Sequence, residues 1–496
     1  LPEFSYSLEM DGNLYLRKTD SKIFIQTSAN YNSDPDPVLL EIFNHRFMGI
    51  AEQMGFTLEN TAHSVNIKER RDFSCALFDP DGKLVANAPH IPVHLGSMGE
   101  TVRAVMAARG NSFKHGDVFI TNHPHKGGSH LPDITLVTPV MISGEQPDFF
   151  VVNRGHHADI GGISPGSMPP NGTSLDEEGI ILENILYMRN GKFLETEIRK
   201  HLTTGPFPAR NLQERMSDLK AQAAANLKGI REIEKLLADF SLDTIKCYMR
   251  FIRENAATAV LQTLMGLLEG NSEKSWSFHD NLDDGTLISV KLTAIKDSAE
   301  PLLCKLIVDF TGTGPQSKGN LNAPFAVTRA AVMYVLRCLL KRDIPLNSGF
   351  FDPVELIIPA GCILNPSNDA AVVGGNVETS QRVVDVLLGA FGLTAASQGT
   401  MNNFLFGDLA GHDAPYYETI GGGSGAGFGF NGASGVQVHM TNTRITDPEI
   451  LEYRYPELRL DKFSIIKGSG GVGKFEGGDG LERQIRFLEK KQVSIL

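Results

Sequence analysis

Six of the fourteen histidines fall between positions 115 and 157: His115, His123, His125, His130, His156 and His157. Two polar segments carry most of them. One is Asn122-His123-Pro124-His125-Lys126-Gly127-Gly128-Ser129-His130-Leu131-Pro132-Asp133. The other is Asn153-Arg154-Gly155-His156-His157-Ala158-Asp159-Ile160-Gly161-Gly162. His130 and Asp133 stand three apart, and a second His/Asp group follows one strand pair later. Imidazole nitrogens with carboxylate oxygens form a ligand set for a divalent metal such as Zn, Mn or Fe. Most histidines merely hydrogen-bond backbone or solvent, so spacing alone leaves metal binding and ordinary packing both open. In an extended segment the adjacent His156 and His157 point to opposite sides. One is then free to ligate while the other packs or orients.

These segments need a scaffold. Strands are expected at Val118 to Thr121, Ile134 to Val140 and Phe149 to Val152, with the histidines in the loops between them. Residues 1 to 30 read as two short strands, around Leu14 to Leu16 and Ile23 to Ile25. Leu40, Phe43, Phe47, Ile50 and Met54 recur at helical spacing from Val38 to about Glu59, with Asp36 as cap and Pro37 in the first turn. Arg71 to Ala86 reads as strand, turn, strand about Asp79-Pro80-Asp81-Gly82. Asn211 to Phe240 and Leu242 to Leu268 are two long amphipathic helices forming a hairpin hinged at Asp239 to Asp243. Further strands are expected at Ser275 to Phe278, Leu287 to Ala294 and Leu302 to Phe310, and helices at Pro324 to Arg342 and Ser380 to Ser397. The last hundred residues read as short strands punctuated by glycine.

Composition limits the function classes. The 496 residues hold 58 carboxylates against 46 Lys and Arg, a formal charge of −12, which argues against nucleic-acid or anionic-membrane binding. No apolar run reaches the roughly 18 residues of a spanning helix. Leu1 opens no basic-then-apolar signal sequence, and the chain reads as a piece of a longer protein. Five scattered cysteines without a CxxC pair suggest a reducing, cytoplasmic compartment.

Several motifs match only by letters. Gly468-Ser469-Gly470-Gly471-Val472-Gly473-Lys474 fits a phosphate loop, but Phe475 replaces the Ser or Thr that holds Mg²⁺ and no helix start follows. Its glycines, like the eight between Gly421 and Gly435, are expected to make tight turns. Gly162-Ile163-Ser164-Pro165-Gly166 lacks the helix of a nucleophile elbow, so an acyl-enzyme mechanism has little support. Polar runs at Asp309 to Pro324 and Gly374 to Arg382 admit substrate contacts at helix N-termini, and His439 to Arg444 is a third polar run in a glycine-rich region. Ordinary capping by Thr379 or Ser380 weighs against this in the second run.

The longer blocks resemble a known family. Asn66-Ile67-Lys68-Glu69-Arg70, Asp72-Phe73-Ser74-Cys75-Ala76-Leu77, Asn87-Ala88-Pro89-His90-Ile91-Pro92-Val93-His94-Leu95-Gly96, Gly128 to Asp133 and Arg154 to Gly162 resemble the hydantoinase B half of ATP-dependent 5-oxoprolinases. So do Phe310 to Pro315, Gly374 to Val377 and Met440 to Glu449. The resemblance runs from about Pro37 to the C-terminus. It implies a hydrolase that opens the lactam of 5-oxo-L-proline to L-glutamate, in glutathione metabolism. A hydantoinase A-type half, fused or separate, binds ATP and activates the amide oxygen. It further implies a divalent metal (Zn, Mn or Mg) on His130, Asp133 and His156, with His157, Asp159 and Arg154 in catalytic roles.

The expected architecture is therefore α+β, mixed and multi-domain, with a central helical hairpin and a Gly-rich C-terminal β region. Residues 1–36 resemble trailing strands of the A-type half, and 37–496 form the hydantoinase B/oxoprolinase domain. The latter divides into a His/Asp site region at 37–208, the hairpin at 209–270 and a mixed and Gly-rich region at 271–496. Without the ATP-binding half the chain is expected to be inactive. A small-molecule substrate and an oligomer are expected, with no nucleic acid or membrane partner. Two alternatives remain at this point. One is a B subunit of a hydantoinase or ketone carboxylase, the other a non-catalytic structural partner of the A half.

Overall fold

The computed structural model describes residues 4–8, 14–18, 35–88, 91–110, 112–297, 303–408 and 415–496. Ile23 to Ile25, Pro89 and His90 lie outside them. An antiparallel hairpin, β1 (Phe4–Leu8) and β2 (Leu14–Lys18), precedes helix α1 (Pro37–Thr61). Asp36 caps α1, its Oδ1 accepting from Val38 N at 2.8 Å, and Pro37 occupies the first turn. The short α2 (Val65–Lys68) leads into β3 (Phe73–Phe78) and β4 (Leu84–Asn87), joined by the Asp79–Gly82 turn.

Next come α3 (Pro92–Arg109), β5 (Val118–Thr121), β6 (Asp133–Val140) and β7 (Phe149–His156). After α4 (Leu175–Glu178) the chain returns through β8 (Ile185–Arg189) and β9 (Lys192–Phe193). Together these strands form one seven-stranded antiparallel sheet, in the order β4-β3-β7-β6-β5-β8-β9. The central strands β3, β6 and β7 are buried along their whole length. β7 extends to His156, beyond the end expected at Val152, because it pairs with β6 residue by residue down to Asp133.

After α5 (Glu195–Thr203) come helices α6 (Leu212–Asp239) and α7 (Leu242–Leu267), started by Asn211 and Ser241 caps and each packed on α1. α1 and α6 cover one face of the sheet, burying Phe43, Phe47, Met54, Ala221 and Ala225 with Leu77 and Val151. α3 lies on the other face and packs against α8 (Phe325–Leu339). A Cβ at Gly96 would stand 2.3 Å from Ala330 Cα, so only glycine permits that helix approach. Beyond α8 and α9 (Ser380–Phe391) lies a four-stranded sheet, β10 (Glu273–Asn281), β11 (Leu287–Lys296), β12 (Cys304–Asp309) and β13 (Val354–Ile357). A π-helical turn, Gly375–Thr379, precedes α9.

The C-terminal part contains β14 (Asn403–Gly407), β15 (Tyr416–Thr419), α10 (Pro448–Arg454), the hairpin β16 (Leu458–Ile465) and β17 (Leu481–Phe487), and β18 (Gln492–Ile495). Its glycines do not mainly make turns, which corrects the expectation. A Cβ at Gly423 would lie 1.7 Å from Gly478 O, at Gly478 1.9 Å from Ala433 O, and at Gly432 2.0 Å from Ser424 O. None of these three has a left-handed φ. They are glycine because three segments stack backbone on backbone with no space for side chains. No helix follows Gly468–Lys474, in keeping with its rejection as a phosphate loop.

Candidate metal centre

Asp133 opens β6 and His156 closes β7, and the two are direct cross-strand partners. The loop before β6 turns His130 back over the strand, with Asp133 N bonded to His130 O at 3.1 Å. His130 Nε2, His156 Nδ1 and Asp133 Oδ1 then lie 3.1 to 3.2 Å from one another. All three residues are buried.

A fourth residue completes the cluster. His94, in the first turn of α3, places Nε2 3.1 Å from Asp133 Oδ2. Its Nδ1 meets Ser74 Oγ at 3.2 Å, and that same Oγ accepts from Ile91 N. The serine hydrogen is thereby free for His94 Nδ1, which leaves His94 Nε2–H to donate to Asp133. Sequence reasoning did not single out His94 as a site residue. It stands in an otherwise apolar helix start, and its only signal was the block Asn87 to Gly96.

Burial pushes Asp133 up, but His130 and His94 beside it, with hydrogen bonds from His130 and His156, hold it well below the usual carboxylate range. Burial lowers His156, keeping it neutral despite Asp133. A neutral imidazole beside an ionised carboxylate is the protonation state a metal ligand needs. Tyr417 stacks on the His156 ring, 4.5 Å between centroids and 14° between planes, and fixes its orientation. Arg70 lies 4.6 Å from the centroid of the same tyrosine.

The donor set fits a divalent cation. Four ligands at about 2.1 Å in tetrahedral array stand about 3.4 Å apart, close to the observed spacing. The other nitrogen of each ring, His130 Nδ1 and His156 Nε2, lies outside that group of donors and is buried with no hydrogen-bond partner. His130, Asp133 and His156 are a cluster able to bring one ligand atom each within 4.8 Å of the others. They line a cavity of about 20 Å³ together with Asp72, His94, Asn376 and Tyr417. A larger cavity, about 770 Å³, lies between the glycine-rich loops.

Arg154, His157 and Asp159 do not line the small cavity. The fully buried Arg154 donates to Thr135 Oγ1, Ser97 Oγ, Ser129 Oγ, Thr101 Oγ1 and Gly127 O. Ser129 in turn donates to Asp133 Oδ2. Arg154 is thus a clamp on the His130 loop, with its donors spent on protein. His157 projects to the opposite side of the sheet and donates through Nε2 to Gln222 Oε1 of α6 at 2.9 Å. Burial and the nearby Arg215 lower it to about 4. Asp159 accepts from Gly161 N, Gly166 N and Arg210, and so shapes the loop after β7.

Residues 36–496 match the family model for hydantoinase B/oxoprolinase. The chain is 53% identical over 479 residues to 5-oxoprolinase 1 of Arabidopsis thaliana, covering 93% of this chain and 37% of that protein. It is 50% identical over 472 residues to 5-oxoprolinase of Dictyostelium discoideum, covering 95% and 36%. The chain therefore spans little more than a third of the length of these relatives. The crystal structure of an ATP-dependent caprolactamase from Pseudomonas jessenii shares the fold, with a TM-score of 0.79 at 23% identity, covering 93% of this chain and 80% of that one.

Proposed function

The chain belongs to the hydantoinase B/oxoprolinase family, and from that premise we propose that it is the lactam-opening half of an ATP-dependent 5-oxoprolinase. The observation that carries this reading is the buried His94, His130, Asp133, His156 cluster at the joined ends of β6 and β7. The much longer 5-oxoprolinase relatives support a second, ATP-binding half, fused or separate, that activates the amide oxygen of 5-oxoproline. None of the five cysteines forms a disulfide, which supports a cytoplasmic setting in this reading.

A lactam resists hydrolysis because its carbonyl is resonance-stabilised and its nitrogen leaves poorly. Phosphorylation of the oxygen by the partner removes the resonance. In our reading His130, Asp133 and His156 hold a divalent cation (Zn, Mn or Mg), which supplies Lewis acidity at the site. His94 holds Asp133 ionised and oriented. Arg154 fixes the loop that carries His130, acting as a positioning residue. His157, through Gln222, ties the end of β7 to α6 from behind. Burial of the cluster keeps bulk water from a reactive activated amide. Across the hydrolysis a water oxygen bonds to the amide carbon and the C–N bond breaks, giving γ-glutamyl phosphate, whose acyl phosphate a second water cleaves to glutamate and inorganic phosphate. The nitrogen leaves as the amine after taking a proton.

The test is reconstitution with the ATP-binding half, followed by assay of glutamate from 5-oxoproline with ATP. Glutamate release supports the proposal. Turnover of hydantoins or ketones with none of 5-oxoproline overturns it in favour of another substrate in the same family. An unchanged rate in a His130→Ala variant would leave the chain only a structural role.

A further inference from the structure

The polar run at Gly374 to Arg382 faces the cluster from the far side of the small cavity. Its Asn376 is 3% exposed, lines the cavity with His94, His130, Asp133 and His156, and has its Oδ1 buried without a hydrogen-bond partner. A buried amide oxygen left unsatisfied is destabilising unless something binds it, which points to a ligand at Asn376 Oδ1.

The backbone around Asn376 is rigidly held. It lies in the π-helical turn Gly375–Thr379, an element that recurs at functional sites. A Cβ at Gly375 would stand 2.0 Å from Asn322 O, and Gly375 N bonds Asn320 O at 2.9 Å. Asn376 O accepts from Ser380 Oγ at 2.6 Å. Neighbouring polar groups are already committed: Tyr417 Oη donates to Asn403, and Thr441 Oγ1 pairs with Thr443. Asp72 adds a buried carboxylate to the lining, and the remaining residues, including Val93, Val377 and Met401, are apolar.

The cavity volume sets the size of the occupant. About 20 Å³ exceeds the ~10–15 Å³ that one water needs and is far below what a lactam ring needs. A buried water also needs at least two polar partners. The partnerless buried atoms on residues lining this cavity are Asn376 Oδ1, His130 Nδ1 and His156 Nε2. We infer that the Asn376 carboxamide, opposite the His/Asp cluster, holds the single water that attacks the activated amide carbon. Asn376 is then a positioning residue for the nucleophile. The inference rests on the lactam-opening reading above.

The experiment uses the enzyme reconstituted with its ATP-binding half. Asn376→Leu keeps the shape and removes the acceptor. It is expected to lower kcat for glutamate about 100-fold, with KM for ATP and metal per chain within about two-fold of wild type. Because activation continues while attack fails, ATP consumed per ring opened should rise. Asn376→Asp, isosteric and still an acceptor, should recover most of the rate and the coupling. Equal loss in both variants, or an unchanged ATP-to-glutamate ratio in Asn376→Leu, overturns the inference. Melting temperature and metal content of each variant separate misfolding from mispositioning. A high-resolution crystal structure of the wild type should show an ordered water on the Asn376 carboxamide, and a dry carboxamide overturns the inference. Wild type that opens no 5-oxoproline refutes the proposed function instead, and the crystallographic measurement still decides the water.

Discussion

Asp133 receives His94 on one oxygen and His130 with His156 on the other, so each imidazole is held by a carboxylate that cannot easily protonate. Removing a direct ligand and removing an orienting residue should therefore differ in degree. His130→Ala is expected to abolish stoichiometric metal binding, measured by elemental analysis of the purified chain. His94→Ala should retain the metal but weaken it by about 10- to 100-fold, measured by competition with a chelator. Full retention of affinity in His94→Ala would mean that its contact with Asp133 is incidental. Arg154 belongs to the same scale. Its guanidinium is buried, and burial lowers it to about 10, with Asp133 the charge that opposes the shift. Arg154→Met would leave the Thr135 hydroxyl without its donor and release the clamp on the His130 loop, at a cost of about 3 kcal/mol, read from urea unfolding. Residue type and spacing marked the polar segments dense in histidine that hold His130, Asp133 and His156, and the family resemblance singled out those three. His94 was not, because its partner is distant in sequence and its neighbours are apolar. The structural duties of Arg154, His157 and Asp159 were also hidden, since residue type cannot tell which face of a strand a side chain takes.

At the scale of elements, the helix that carries Asn376 begins with an unusual support. Thr379 and Ser380, the expected caps, instead donate to Leu321 O and Asn376 O. The first N–H groups, Val372 and Val373, both bond Glu178 Oε1 of α4 at 2.8 Å. Burial pushes the Glu178 carboxyl up to about 8, outweighing those two bonds. Its folded pKa is above its unfolded one, so it stabilises most below about pH 4.5, the unfolded value. That contribution falls as pH rises towards about 8. Glu178→Gln should flatten the fall of melting temperature across that window, and an unaltered slope would assign the pH dependence elsewhere. The glycine layers provide a second contrast. Gly423→Ala drives a methyl into the Gly478 carbonyl and is expected to cost at least about 2 kcal/mol. Gly471→Ala meets nothing within 4 Å and should change stability by less than about 0.5 kcal/mol. Helices α1, α6 and α7 could be read from periodicity and caps. The layers could not, because composition shows glycine without showing whether a turn or a close neighbour requires it.

For the molecule as a whole, the proposed function puts the metal centre and the source of activation in different places. The His/Asp cluster sits inside one sheet and between its covering helices, all of it supplied by this chain. Nucleotide binding needs backbone N–H groups converging on phosphates, commonly at a helix N-terminus after a glycine loop. Here the loop that fits the phosphate-loop letters lies between β16 and β17, where Gly470 N bonds Asp479 Oδ1 and Gly477 N bonds Gly471 O. Its amides serve the glycine stack, no helix follows, and Lys474 turns towards the Phe475 ring at 5.8 Å. The isolated chain should therefore fold and take up metal, yet give no heat on titration with ATP and release no glutamate from 5-oxoproline. Adding the ATP-binding half should restore both at once, with ATP affinity indifferent to His130→Ala in this chain and glutamate release abolished by it. ATP binding by this chain alone with a Kd below about 100 μM, or ring opening without the partner, would place activation within the described fold and overturn the division of labour.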